Sequence, residues 1–349
     1  MKAKRINLAL QGGGAHGAFT WGVLDRLLDE PWLEFAAISG TSAGALNGAA
    51  LKAGLVRGGA KAGRQHAREN LDWLWSQVAE VNDLRLDRWV SALFPYPQAI
   101  NRWIEAFAPA TWMEQLGRMV SPYDSGPFYV NPLERIVARF EYEHVCAQAG
   151  PAFFVSATNV RTGKIRVFSG AEVSADAILA SACLPNLFRA IEIDDPKTGQ
   201  REAFWDGGYT GNPALFPLFE PQFPRDIVIV NINPLRREEL PRTPSEIEER
   251  INEISFNSSL LRELRAVNFV RRLLADQRLP EGTMKDVLIH MVGDDDTMTD
   301  LGASSKATPA LGTLKRLKEA GQAAADRFLT AHSGDLGQRA SVDLTALFS

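Results

Sequence analysis

Apolar residues recur with two different periods at the start of the chain. Ile6 to Leu10 is a short apolar run of strand length. Ala18 to Glu30 carries Phe19, Val23, Leu24, Leu27 and Leu28 at helical spacing and stops before Pro31. Phe35 to Ser39 reads as a second strand, and Ala43 to Ala53 as a small-residue helix. Strand, helix, strand, helix predicts an α/β fold with a mainly parallel sheet covered by helices. Small-residue turns follow both strands: Gly12-Gly13-Gly14-Ala15-His16-Gly17 and Ser39-Gly40-Thr41-Ser42-Ala43-Gly44.

The pattern changes over residues 60–130. Trp73, Trp75, Trp89, Trp103 and Trp112 fall there, among Pro95, Pro97, Pro109, Pro122 and Pro127. Short helices between breakers fit this stretch, which predicts a helical, Trp-rich insertion. Its tryptophans either pack a core or wall an apolar substrate site. Asn131-Pro132 opens a helix predicted to reach Phe140. Phe153 to Thr158 and Ile165 to Phe168 read as strands about a turn at Thr162-Gly163-Lys164. Ser174 to Ala182 is a short helix stopping at Leu184-Pro185, and Arg201 to Trp205 a strand ending at Asp206-Gly207-Gly208. A buried strand over Asp226 to Ile232, a charge-rich amphipathic helix over Ser245 to Asp276, a strand over Asp286 to Val292 and a helix over Thr308 to Ala331 complete the reading. No internal repeat or long linker interrupts it, so one elaborated domain is expected.

Composition narrows the partners. Lys and Arg total 38 against 42 Asp and Glu, a net charge of −4. Nothing in that balance points to nucleic acid. Cys146 and Cys183 form no metal-binding spacing and suit reduced, buried thiols. The basic Met1 to Arg5 precedes an apolar run too short for a signal peptide, and no run is long enough to span a bilayer. A cytoplasmic protein is expected, with peripheral membrane contact left open. Oligomeric state is not legible.

Candidate chemistry lies at the turns. Gly40-Thr41-Ser42-Ala43-Gly44 is a G-x-S-x-G pentapeptide between a strand and a helix, the setting of a nucleophile elbow. Gly12, Gly14 and Gly17 match a dinucleotide fingerprint, yet the next strand ends at Ser39-Gly40-Thr41-Ser42 without the carboxylate that a ribose requires. The loop's amides alternatively form an oxyanion hole beside Ser42. A serine needs a base. The histidines are His16, His66, His144, His290 and His332; a triad in the order Ser, Asp, His formally uses Ser42, Asp206 and His290, yet His290 lies inside an apolar strand rather than on a following loop. Asp206, at a strand end before Gly207 and Gly208, is the better partner, since a partly desolvated carboxylate takes the serine proton directly.

Together the glycine loop, the Ser42 elbow, Asp206-Gly207-Gly208 and Ala180-Ser181-Ala182-Cys183-Leu184-Pro185 resemble the patatin-like phospholipase family over residues 6–220. The resemblance implies a three-layer α/β/α fold and a lipid acyl hydrolase without metal or cofactor. Ser42 would be the nucleophile, Asp206 its base, and the Gly12, Gly13 and Gly14 amides the oxyanion hole. Residues 221–349 would pack on the same domain. One departure is His16, where the family usually carries Arg or Lys; it allows pH dependence near neutrality. A dinucleotide-binding oxidoreductase and a non-catalytic lipid-binding protein are the alternatives.

Overall fold

The computed structural model describes residues 3–83, 121–280, 282–301 and 310–349. β1 (Lys4–Leu10) is buried from Ile6 to Leu10, mostly apolar there because both its faces are covered. Ile6, Leu8 and Leu10 join one hydrophobic cluster, and Ala9 joins a second on the opposite face. β7 (Asp226–Val230) divides the same way, with Val228 and Val230 on one side and Ile227 and Ile229 on the other. The first cluster holds apolar residues of α1 (Gly17–Leu27), α2 (Ala43–Asp83), α3 (Ala175–Ser181) and α5 (Leu311–His332). The second takes Leu260, Leu264 and Val267 of α4 (Pro244–Ala275). The result is a helix, sheet, helix sandwich.

The sheet has eight strands. β2 (Leu33–Gly40), β3 (Ala152–Asn159) and β8 (Leu288–Val292) join β1 and β7 in the parallel order β3-β2-β1-β7-β8. β4 (Ile165–Ser169), β5 (Ile191–Asp195) and β6 (Gln200–Asp206) make antiparallel pairs instead. β3 decides the geometry of the whole molecule. β4 pairs with Phe154 to Thr158. β2 pairs with Ala152 to Val155, and β6 with Ala157 to Asn159. A strand has two edges and β4 takes one, so β2 and β6 share the other. They meet end to end there, with Gly40 opposite Val155 and Asp206 opposite Ala157.

α2 runs far beyond the predicted Ala53 and is broken at Gly59, whose φ is 53°. The arm after the break carries Ala67, Leu71 and Leu74, all fully buried. Trp75 stacks on Trp21 with ring centres 6.4 Å apart and donates its indole N–H to Asn47 Oδ1 at 3.0 Å. Trp73 meets Phe140 edge-on at 5.9 Å. These two tryptophans pack the core. Trp89, Trp103 and Trp112, with the rest of the predicted insertion between residues 84 and 120, lie outside the described residues.

The helix expected from Asn131-Pro132 to Phe140 is a single turn, Glu134–Val137. β5 escaped the sequence reading, although Ile191-Glu192-Ile193-Asp194 alternates and a Pro-Lys-Thr-Gly turn follows. Arg166 of β4 holds β5 in place. Its guanidinium donates to both Asp195 oxygens at 2.9 and 2.8 Å and to Glu172 Oε1 at 2.9 Å. Arg166 and Asp195 are both buried. The ion pairing holds the Asp195 and Glu172 carboxyls below their usual range. Arg166→Ala should therefore lower the unfolding free energy by about 3–5 kcal/mol at neutral pH. The difference should shrink as pH falls below about 4, where both carboxyls protonate in the unfolded chain. Denaturant unfolding at both pH values checks this, and an unchanged midpoint would show that the clamp contributes nothing.

Candidate active site

The elbow is built from local hydrogen bonds. Thr41 N–H donates to Leu10 C=O at 3.2 Å, Gly44 N–H to Thr41 C=O at 2.8 Å and Ala45 N–H to Ser42 C=O at 2.9 Å. Ser42 has a φ of 54°, in the left-handed region, and is almost buried. A side chain in that region costs roughly 1–2 kcal/mol. The chain can turn this sharply because Gly44 sits against the Leu10 carbonyl, where a Cβ would collide. Gly40, the last residue of β2, faces Gly44 in the same turn. Ser181 braces the elbow, its Oγ accepting the Ser42 N–H at 2.9 Å. The Thr41 and Ser156 hydroxyls lie 2.5 Å apart and both lie within hydrogen-bond distance of the Gly211 C=O, so one donates to its neighbour while the other donates to the carbonyl.

Asp206 is the last residue of β6 and has no exposed surface. Its N–H donates to Cys183 C=O at 2.8 Å, and its C=O accepts from Thr158 Oγ1 at 2.8 Å. Oδ1 accepts the Gly208 N–H at 2.7 Å, while Oδ2 is buried without a hydrogen-bond partner among the described residues. Burial pushes the carboxyl up to about 7, against the opposing pull of the Gly208 amide and the adjacent Ser42 hydroxyl. Gly207 fits between the Ser156 backbone and Thr41. The segment from Ser181 to Cys183 touches both residues, since Ser181 holds the Ser42 amide and Cys183 the Asp206 amide. The Cys183 thiol is pushed up to about 12, first by burial and then by Asp206. It is an inert packing group.

The glycine loop crosses directly over Ser42, and a Cβ at Gly12 would lie 2.6 Å from the Ser42 Cβ. One expected role changes here. The Gly12 N–H donates to Asn212 Oδ1 at 2.6 Å, so its single proton is engaged and Gly12 cannot serve as drawn from the sequence. Gly12 C=O accepts from Asn233 Nδ2 at 2.8 Å and Asn212 Nδ2 at 3.3 Å. In a trans peptide the following N–H points opposite to that carbonyl. The two asparagines therefore turn the Gly13 amide to the other side of the loop. No acceptor engages the Gly13 or Gly14 amide among the described residues. His16, at the start of α1, is fully buried.

The sequence reading missed this polar support. Gln11 Oε1 accepts from Ile232 N–H at 2.8 Å and Asn233 N–H at 3.1 Å, and its Nε2 donates to Asn257 Oδ1 at 3.1 Å. Asn212 N–H donates to Ser259 Oγ at 3.1 Å. Gln11, Asn212, Asn233, Asn257 and Ser259 are all buried. Asn231-Ile232-Asn233, polar residues just past an all-apolar strand, was the visible signal.

His290 does not join Ser42. Its Nε2 pairs with Asp226 Oδ1 at 3.0 Å and its Nδ1 with Ser341 Oγ at 3.2 Å. β8 also lies three strand spacings from β2, about 14 Å. Among the described residues, no group of three or more His, Cys, Asp or Glu side chains is placed to hold a metal. A cavity of about 1210 Å³ lies remote from Ser42, at the opposite end of β7 and β8, among Arg225, Arg271, Arg272 and Arg339.

These features define a three-layer α/β/α protein with a serine elbow beside a buried carboxylate and beneath a glycine loop. The profile of the patatin-like phospholipase family matches residues 8–219. The chain belongs to that family, whose members are lipid acyl hydrolases. No match is found among curated proteins. The crystal structure of VipD from Legionella pneumophila is similar at 14% identity and a TM-score of 0.40, covering 94% of this chain and 67% of that one. The type III effector protein ExoU is similar at 16% identity and a TM-score of 0.27, covering 91% of this chain and 54% of that one. This chain thus spans about half the length of the ExoU chain.

The left-handed Ser42 backbone has a measurable consequence. Ser42→Gly should be about 1 kcal/mol more stable than Ser42→Ala, because glycine adopts that φ without strain. Chemical denaturation of the two variants compares them; equal stability would mean that the elbow stores no strain.

Proposed function

We propose that the protein hydrolyses lipid acyl esters by a Ser42-Asp206 dyad through an acyl-enzyme. The observation that carries this reading is the buried Asp206 carboxyl, whose Oδ2 has no partner among the described residues, which the Ser42 hydroxyl acts on, and whose pKa is raised to about 7. A base works best when its pKa lies near the working pH, and this one needs no histidine. Ser42 Oγ attacks the ester carbonyl while its proton passes to Asp206. The carbonyl oxygen becomes an oxyanion that accepts the Gly13 and Gly14 amides at the start of α1. Collapse breaks the ester bond, and the leaving alcohol takes the proton from Asp206. Water then gives a proton to Asp206 and attacks the acyl carbon. The fatty acid leaves, and the proton returns to Ser42. Every step is a proton transfer or an acyl transfer among these groups and water. The substrate is a lipid or another acyl ester, met at a lipid surface. Among the described residues no helix is long and apolar enough to cross a membrane.

Three measurements test the assignment. Ser42→Ala should abolish turnover of a chromogenic acyl ester and labelling by a fluorophosphonate probe. Activity retained by that variant would overturn the role of Ser42. For the wild type, kcat/KM should rise with pH through a single limb near 7, as Asp206 ionises. Folded Asp206 binds its proton more tightly than the unfolded chain does, so it destabilises the fold increasingly between about pH 4 and pH 7. Asp206→Asn should accordingly lose activity at every pH. It should be more stable than wild type above pH 7 and not below pH 4. Thermal unfolding across that range reads the difference, and a pH-independent difference would show that Asp206 is not a proton-binding base.

A further inference from the structure

The charged and apolar side chains along the outer side of α4 are not used by the site. Ile247, Ile251, Ile254, Ser258, Arg262, Arg265, Phe269 and Arg272 follow one another three or four residues apart, so they line one face of the helix. The buried Leu260, Leu264 and Val267 lie on a different face, against the sheet. Of the outer residues, Ile251, Ile254 and Phe269 are each more than half exposed, at 60%, 55% and 54%. In ordinary helices, isolated exposed apolar residues need no explanation, but a row of them does. No carboxylate interrupts the row between Ile247 and Arg272.

The two halves of this face differ in chemistry. The first is isoleucine. The second is arginine around one phenylalanine. Arg262, Arg265 and Arg272 have no carboxylate partner among the described residues; Arg265 lies 5.0 Å over the Phe348 ring and Arg262 donates to the Ser258 carbonyl. Two hollows open beside this half. One of about 670 Å³ is lined by Arg262, Arg265, Phe269 and Arg272. The other is the cavity of about 1210 Å³, where Arg272 is joined by Arg225, Arg271 and Arg339. Arg225 and Arg271 both pair with Asp286, and Arg339 with Asp335, which leaves Arg272 as the cation facing both hollows without an ion pair. Apolar residues for an acyl layer and unpaired arginines for phosphates, on one helix face, match the two chemical zones of an anionic lipid surface.

We infer that the outer face of α4 docks the protein flat on an anionic phospholipid bilayer, with the isoleucine half inserted at the acyl boundary and the arginine half on the headgroups. This rests on the lipid acyl hydrolase reading for its purpose, and the fold supplies the link to catalysis. The isoleucine half of α4 is the half that is fastened to the site. Phe256 packs on Tyr209, which follows Asp206-Gly207-Gly208, with ring centres 5.2 Å apart, and Asn257 bonds Gln11 beneath the glycine loop. Seating α4 on the bilayer therefore brings the Ser42 region down with it.

The test separates docking from catalysis. Vesicle co-sedimentation is measured with Ser42→Ala protein, so that no lipid is consumed, on phosphatidylcholine vesicles with and without phosphatidylglycerol. Binding is expected to be at least tenfold tighter on the anionic vesicles and to weaken with salt. Ile251→Glu/Ile254→Glu should reduce binding tenfold or more. Arg265→Glu/Arg272→Glu should remove the preference for anionic lipid. Both double substitutions, made in the otherwise native chain, should leave turnover of a soluble short-chain ester unchanged, while hydrolysis of vesicle phospholipid falls. All positions are exposed, and circular dichroism confirms that the variants fold. Equal binding of parent and variants, or no preference for anionic vesicles, overturns the inference. So does a dimer in solution that Ile251→Glu/Ile254→Glu dissociates without any effect on vesicle binding, since the face would then serve a second copy of the chain. Loss of ester turnover with Ser42→Ala, together with vesicle binding that the α4 substitutions leave unchanged, would refute docking by α4 and leave the catalytic reading standing.

Discussion

One edge of β3 carries two strands that meet head to head, and the candidate site depends on that meeting. β2 arrives parallel to β3 and ends at Gly40; β6 arrives antiparallel and ends at Asp206. Their final residues face Val155 and Ala157, two positions apart on a single extended strand. A strand advances about 3.3 Å per residue, so the elbow and the carboxylate converge from opposite directions within a span of about 7 Å. An unbroken partner strand on that edge would have left no gap for Thr41 and Ser42 to turn into. The gap is lined by hydroxyls of Thr41, Ser156 and Thr158, which reach the carbonyls of Gly211 and of Asp206 at the end of β6.

The same junction explains the unusual state of Asp206. A carboxylate at an ordinary strand end would reach solvent. Here the elbow, the Ser181 to Cys183 segment and the Gly207 turn close over it, and burial raises its pKa to about 7. The loop above is held by a network that starts in sequence far from it. Asn212 and Asn233 pin Gly12 on both its N–H and its C=O, Gln11 holds Asn233, and Asn257 and Ser259 tie that network to α4. The segment beyond residue 220 thus supplies two sheet strands and the helix that fastens the glycine loop, outside the 8–219 stretch that the family profile matches. Buried amides of this kind orient a peptide group with little freedom, because each unsatisfied alternative would cost about 1–3 kcal/mol.

α4 joins two environments. Its inner side packs on β1 and β7 and carries the network residues, while its outer side is the isoleucine and arginine face. A rigid helix with those two sides transmits the orientation of whatever it rests on to the glycine loop and the elbow. Trp73 and Trp75, which the sequence offered as either core or substrate wall, belong to the core, with Trp75 locked on Trp21 and Asn47.

Elements set by neighbours a few residues away were legible in the sequence. The spacing of Phe19, Val23, Leu24 and Leu27 announced α1, Ser174 and Pro185 bracketed α3, and the glycines around Ser42 announced the elbow, because helix periodicity, capping and turn geometry are local properties. Ser42 and Asp206 were legible as candidates for the same reason, each sitting at a strand end before small residues. Their pairing was expected as well, but not the strand arrangement that brings them together, since it follows from which edge of β3 each strand takes, a choice made by hydrogen-bond partners distant in the chain. That choice also reversed the direction of β6. The engagement of the Gly12 amide by Asn212 was equally hidden, because an asparagine advertises no partner until the fold brings one to it. What the sequence by itself determined is the set of turns and the residues they present. Only the tertiary structure decided which of those residues face one another and which protons remain free, because long-range pairing and burial, rather than local geometry, govern both.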